Sequence, residues 1–295
     1  MRVIVTGASG FLGKELVKHM REQGIDFLAA TSRPSVLVED IEIPDRLVVE
    51  ARQLLCEETY KENDVIMNCA FPRTSDGVAM ADGFDYLAQL IQCAMKSNIA
   101  GFVNISSQSV YDQHRTKPAT EKDALCLESS YAVAKRGVEL LLDAQTGSTP
   151  PYTNIRLASL IGPHFDQRVP NRMVKNALET GCIATRDNRS QFGFMDIRDA
   201  VSALIRMLDY PFEKWRRVYN LSSEKCWTIS ELAQIVKNAV EAFSGKTVEI
   251  KNESDCEQEP PLNTLVNADL FQKDFNWSAT QGKSATIEAI VASMV

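Results

Sequence analysis

Apolar residues in the first half of the chain alternate between short unbroken runs and stretches with helical spacing. Val3–Val5 reads as a short buried strand. From Phe11 to Gln23, the residues Leu12, Leu16, Val17 and Met20 form one stripe of a helix that ends at Gly24. Phe27–Ala30, Val65–Cys69 and Phe102–Ile105 predict three more strands, and Tyr86–Met95 and Tyr131–Ala144 two more helices. Such alternation predicts right-handed βαβ units and a parallel sheet covered on both faces. The stretch Ser32–Lys61 carries the weakest pattern, with one strand expected near Arg46–Glu50.

The second half is mixed. Ile155–Ala158 and Val218–Leu221 predict strands, and Asp199–Leu208 and Ile229–Phe243 predict helices. Thr228-Ile-Ser-Glu231 has the spacing of a capping box, which would satisfy two free amides at a helix start. Residues 245–267 are polar and strand-poor. The expected architecture is α/β: a doubly wound parallel sheet over 1–162, with 191–221 returning to it, and a smaller C-terminal α/β domain from 163–190 and 222–295. No internal repeat is present.

Composition narrows the function classes. With 32 Lys and Arg against 39 Asp and Glu, the net charge is −7 and there is no long basic block. Neither nucleic acid nor an anionic membrane surface is an expected partner, although a local basic pocket for a small phosphate ligand remains open. The apolar stretch near Met1 is too short for a signal-peptide core, and no run of about 18 apolar residues predicts a membrane span. The seven cysteines (56, 69, 93, 126, 182, 226 and 256) contain no CxxC pair, which fits reduced thiols in a cytoplasmic protein. His19, His114 and His164 are scattered, so no metal is expected.

Gly7-Ala-Ser9-Gly10-Phe11-Leu12-Gly13 lies between the first predicted strand and helix. Backbone amides at a helix start present partial positive charge to a diphosphate, and glycines allow its close approach. An NAD site usually places an acid about 20 residues on, for the ribose hydroxyls. Here the second strand runs into Thr31-Ser32-Arg33, and the next acid is Glu39. The Arg33 guanidinium instead suits a 2′-phosphate, which favours NADP(H) and leaves NAD(H) possible, and Ser32 beside it is a further cofactor-contact candidate. Tyr131 and Lys135 share one helix face at i and i+4, and a nearby ammonium favours the phenolate form of a tyrosine. Ser107 follows a strand, at the sheet edge where open α/β folds bind ligands, and can hydrogen-bond a reacting oxygen.

These features together resemble the extended short-chain dehydrogenase/reductase family, the NAD-dependent epimerase/dehydratase type, over nearly the whole chain. The resemblance rests on Thr6–Gly13, Asn68-Cys69-Ala70, Ile105–Tyr111, Tyr131-x-x-x-Lys135, Arg156 leading to Gly162-Pro163, Asp196-Ile-Arg-Asp199, and Val218–Ser222 before the Thr228 helix. It implies a Rossmann-type domain, a catalytic set of Ser107, Tyr131 and Lys135, and nucleotide sugars as substrates. It also implies cofactor contacts at the glycine loop, Cys69, Ala70, Tyr131 and Lys135, the lysine holding the nicotinamide ribose, and a homodimer paired through the helices containing Tyr86–Met95 and Tyr131–Ala144. For that pairing Leu87, Leu90, Ile91, Val138, Leu141 and Leu142 offer more apolar surface than one sheet face needs.

Departures from the family pattern narrow the reaction. Ser107, Gln108 and Ser109 stand where the family's 4,6-dehydratases carry Thr-Asp-Glu, which argues against water elimination. Ser109 also replaces the cysteine of the fucose-synthase-like epimerase–reductases, which argues against carbon-epimerising acid/base work there. Ser159 replaces a common Asn, and Phe192 stands where an Arg is usual. Arg73, Ser107, Ser109, Ser159, His164, Arg172 and Arg189 remain substrate-binding candidates. The expectation is an NADP(H)-dependent reductase of a carbonyl, foremost a 4-keto nucleotide sugar. The alternatives are an NAD-dependent 4-epimerase, a reductase of a non-sugar carbonyl and a catalytically silent NADP(H)-binding regulator.

Overall fold

In a computed structural model, which describes residues 1–71, 76–145, 150–165, 167–186, 189–252 and 260–295, contacts group the chain into two units. The first holds Met1–Asp112, Ala124–Leu157 and Leu204–Tyr219; the second holds Gln113–Asp123, Ala158–Ala203 and Asn220–Val295. The sequence reading draws its line at 162 and returns 191–221 to the first part, whereas the contacts return 204–219.

The first unit is built on β1 (Val3–Thr6), α1 (Phe11–Gln23), β2 (Phe27–Thr31), α2 (Pro34–Ile41), β3 (Val48–Glu50), β4 (Val65–Asn68), α3 (Gly77–Lys96), β5 (Gly101–Ser107), α4 (Ser130–Gln145) and β6 (Tyr152–Leu157). The sheet order, completed by β10 (Val218–Leu221), is β10-β6-β5-β4-β1-β2-β3, and β3 through β6 run parallel. Chain direction across the sheet therefore reverses between β1 and β4, the place where such sheets open a crevice for ligands.

α1 matches the periodicity: Leu12, Leu16, Val17 and Met20 are buried. α3 starts earlier than expected because Asp76 caps it, accepting from the N–H groups of Val78 and Ala79 at 2.8 and 3.2 Å. Leu87, Leu90, Ile91, Val138 and Leu142 pack into this unit's own core with Ile4, Ile66 and Phe102, and Leu141 packs against it. The apolar surplus assigned to a dimer face therefore covers the sheet instead. Among the described residues of α3 and α4, the exposed large apolar side chains are Val78, Val133 and Leu140.

A ladder of buried amides crosses the sheet. Thr6 Oγ1 donates to Asn68 Oδ1 (2.6 Å), Asn68 Nδ2 to Asn104 Oδ1 (3.0 Å), and Asn104 Nδ2 to Asn154 Oδ1 (2.8 Å). These residues are register partners on adjacent strands. Pairing removes most of the cost of burying them.

The second unit carries β7 (Ser159–Ile161) beside β9 (Phe194–Asp196) and β8 (Cys182–Thr185) beside β11 (Glu249–Asn252). Its helices are α5 (Val169–Thr180), α6 (Ile197–Arg206, which runs on into the first unit), α7 (Ile229–Ser244), α8 (Asp269–Phe275) and α9 (Lys283–Ala292). α5, α7 and α9 bury Val174, Leu232, Val236, Ile287 and Ile290 in one core. Thr228 caps α7 by accepting from Glu231 N at 3.2 Å, but the Glu231 carboxylate pairs with Lys283 at 2.6 Å, so only the threonine half of the expected box is formed. Asp199, buried, accepts from the N–H groups of Thr280 and Gln281 at 2.9 and 3.1 Å, a structural use of the Asp-Ile-Arg-Asp motif.

Candidate active site

The glycine loop sits at the carboxyl end of β1. Gly7 has φ +62°, and a Cβ there would lie 2.7 Å from Ala70 N, so only glycine lets the β1 and β4 ends come this close. A Cβ on Gly13 would lie 2.3 Å from Gly7 O, which makes Gly13 a packing residue between helix and loop. Gly10 caps α1 with no side-chain bond, and the helix has no acid in its first turn. A helix start of this kind presents backbone N–H groups and partial positive charge to an anion. Leu12 points its side chain into the core, so its contribution to a ligand is its backbone.

A cavity of about 600 Å³ opens over this loop. Gly7, Ser9 and Gly10 form one wall; Ser32 and Arg33 lie at the end of β2, Cys69 and Ala70 at the end of β4. Thr31 Oγ1 donates to Ser9 Oγ at 2.7 Å and accepts from Arg33 N at 3.1 Å, tying the β2 end to the glycine loop. Among the lining residues that the sequence reading does not place at the site are Arg52, just past β3, and Asp82 and Tyr86 on α3. Asp82 is the one acid among the lining residues. Tyr86 Oη donates to Ala51 O at 3.1 Å, and burial pushes its phenol up to about 12, so it stays a donor. Burial also pushes the Cys69 thiol up to about 12, against the opposing pull of Lys135. Cys69 is therefore a protonated wall residue and not a nucleophile. The size of the cavity, the helix start at the glycine loop and the guanidinium at the β2 end fit a dinucleotide.

Beside this cavity, α4 packs on β5. Lys135, buried, donates from Nζ to Ile105 O at 2.7 Å. Its ammonium lies 5.2 Å from the Phe71 ring centroid and 5.7 Å from that of Tyr131. Phe71 meets Tyr131 edge to face at 6.3 Å. Ser107, two residues past Ile105 on the same strand, accepts from Ser109 N (3.1 Å) and Ser109 Oγ (2.9 Å). With both lone pairs taken, the Ser107 hydroxyl keeps its own proton to donate. One turn beyond Lys135, buried Glu139 receives Arg156 in two bonds (Nε 3.1 Å, Nη2 2.9 Å), Ser106 Oγ at 2.6 Å and Arg136 at 2.8 Å. The same helix face thus carries the Tyr–Lys pair and a clamp on β5.

The remaining candidates spread through the second unit. Ser159 lies on β7 opposite Phe194. His164 and Arg189 are exposed with φ of +60° and +59°. Arg172 is exposed on α5 and lines a cavity of about 170 Å³ with Met173, Asn176 and Ile183. Phe192, where an arginine is common, stacks on Phe194 at 5.9 Å. Arg73 lies outside the described residues.

A doubly wound sheet with a phosphate loop at its switch point and a Ser–Tyr–Lys set on the adjoining strand and helix defines a dinucleotide-dependent enzyme of the extended short-chain dehydrogenase/reductase class. The chain belongs to the NAD-dependent epimerase/dehydratase family, whose model matches residues 3–222. It is similar to Protein CapI of Staphylococcus aureus, 24% identical over alignments covering 94% of this chain and 93% of that protein. Among solved structures it resembles UDP-N-acetylglucosamine 4-epimerase from Bacillus cereus (TM-score 0.81, 20% identity, covering 100% and 96% of the two chains). It also resembles UDP-glucuronic acid 4-epimerase from Bacillus cereus in complex with UDP-glucuronic acid and NAD (TM-score 0.79, 20% identity, 100% and 99%). No helix of the described residues is long and apolar enough to cross a membrane.

Proposed function

We propose that the protein is a cytoplasmic NADP(H)-dependent oxidoreductase that interconverts a carbonyl and a hydroxyl, foremost at the 4-position of a nucleotide sugar. The observation that carries this reading is the cavity edge at Ser32 and Arg33, basic and without an acid; the Tyr131–Lys135 pair meets the same cavity at its other side through Phe71. When bound, the dinucleotide supplies or accepts the hydride. Tyr131 gives a proton to the reacting oxygen, or takes it in the reverse direction. Ser107 donates a hydrogen bond to that oxygen, and Lys135, with one donor held by Ile105, offers positive charge to the tyrosine oxygen as its proton leaves. Gln108 beside Ser107 has no carboxyl proton to give, which speaks against a dehydratase. The second unit takes the substrate, with Arg172 at its small cavity a candidate for the diphosphate.

The test is binding of NADPH and NADH to nucleotide-stripped protein, followed by turnover with 4-keto nucleotide sugars and other carbonyls. The expected NADPH preference is about 100-fold, roughly 2.7 kcal/mol. NADH preference, or NAD that resists stripping, favours the second reading, a 4-epimerase that keeps its cofactor. The likeness to the 4-epimerase solved with NAD supports that second reading.

We propose further that the protein is a homodimer paired through α3 and α4. Val133 and Leu140, 53% and 50% exposed, stand seven residues apart on one side of α4 and suit a two-fold contact. Light scattering is expected to give a dimer mass that Leu140→Asp reduces to a monomer. A monomeric wild-type protein ends the proposal.

A further inference from the structure

We propose that Arg52 is a second specificity-determining residue, which together with Arg33 forms a two-guanidinium cradle for the 2′-phosphate of NADP(H). The inference rests on the NADP(H) reading above and adds a residue to it. Its basis is the register of the two edge strands. β2 and β3 run parallel, with Ala30 opposite Val49 and Thr31 opposite Glu50. Arg33 stands two residues past Thr31, and Arg52 stands two residues past Glu50. The two arginines leave neighbouring strands at equal offsets, and both line the same cavity.

Both backbones are held. Arg33 N donates to Thr31 Oγ1 at 3.1 Å, and the carbonyl of Ala51, next to Arg52, accepts from Tyr86 Oη at 3.1 Å. The single acid of the lining, Asp82, lies on α3, one turn before Tyr86. A phosphate monoester carries close to two negative charges at neutral pH. Two guanidinium groups match that charge, and their fork geometry suits phosphate oxygens. NAD(H), with a bare 2′-hydroxyl, gives the pair nothing to neutralise, so it gains no such match.

The test is titration of NADPH and NADH, each followed by its own fluorescence, against wild-type, Arg33→Ala, Arg52→Ala and Arg52→Lys proteins, with 2′,5′-ADP and 5′-ADP as competing probes. Arg52→Ala is expected to weaken NADPH and 2′,5′-ADP by roughly ten-fold or more, while NADH and 5′-ADP stay within about two-fold. Arg52→Lys is expected to recover part of the loss, because the charge remains and the fork is gone. If Arg52→Ala weakens all four nucleotides alike, Arg52 contacts a part they share and the cradle is wrong. If it changes none while Arg33→Ala still costs NADPH selectively, the cradle fails and the NADP(H) reading stands. A wild-type protein that binds NADH as tightly as NADPH overturns both. Circular dichroism spectra of the variants separate these outcomes from misfolding.

Discussion

Tyr131→Phe is expected to lower kcat by ~10²–10⁴-fold while leaving dinucleotide binding nearly intact. The substitution removes one oxygen and keeps the ring. The ring is what packs: Phe71 meets it edge to face at 6.3 Å, and the Lys135 ammonium lies 5.7 Å from its centroid. The bond from Lys135 Nζ to Ile105 O does not involve the phenol, so the α4–β5 junction survives. Tyr131 is not among the residues lining the dinucleotide cavity, so Kd for NADPH should move little. What is lost is the proton donor at the reacting oxygen, a transition-state interaction that shows in kcat and kcat/KM together. Steady-state kinetics on a carbonyl accepted by the wild-type enzyme, with a fluorescence titration of the nucleotide, measures both. Full activity in this variant would remove Tyr131 from the chemistry. Unchanged kcat with a raised KM would make it a binding residue instead.

Legibility of the site in the sequence follows the length of the elements that carry it. β1, α1 and β2 are adjacent and strongly patterned, so the glycine loop and Arg33 can be placed before any coordinates exist. The Tyr131–Lys135 pair is equally local, because i and i+4 of one helix are neighbours by geometry alone. Arg52 is not legible in the same way. It follows a three-residue strand in a stretch where α2 buries only Leu37 and Ile41 and the next turn only Leu54. Its relevance depends on which strand β3 joins, a long-range fact. β7, β8 and β9 have three or four residues each, too few for a two-residue alternation to stand out. The asparagines of the sheet show the same limit. Each reads as a polar residue inside a strand, and only register reveals that Asn68, Asn104 and Asn154 satisfy one another.

Glu139 is the most consequential residue that neither periodicity nor motif spacing singles out, and its removal is expected to be the most damaging to stability. Its carboxylate is fully buried and holds Arg156 through both oxygens, with Ser106 and Arg136 completing the set. Arg156 in turn donates to Tyr111 Oη at 3.0 Å. Replacing Glu139 by alanine leaves a buried guanidinium without its counter-ion, a defect that costs about 3–5 kcal/mol. Glutamine restores shape but not charge and should recover only part of this. Burial pushes the Glu139 carboxyl upward, yet the bonds and charge of Arg156, with Ser106 and Arg136, outweigh it and hold the group below its ordinary value of 4.5. Because the folded value is the lower one, the unfolded chain binds the proton more readily on acidification. The clamp therefore contributes in full above about pH 4.5 and loses its contribution as pH falls through the folded value. Thermal unfolding from pH 7 down to pH 3 is expected to show a steeper loss of Tm for wild type than for Glu139→Gln, with the two curves converging at the acid end. Parallel curves across that range would mean that the carboxylate is not the charged partner of Arg156. A variant as stable as wild type at pH 7 would mean that Ser106, Tyr111 and the packing of α4 on β5 hold the catalytic strand without it.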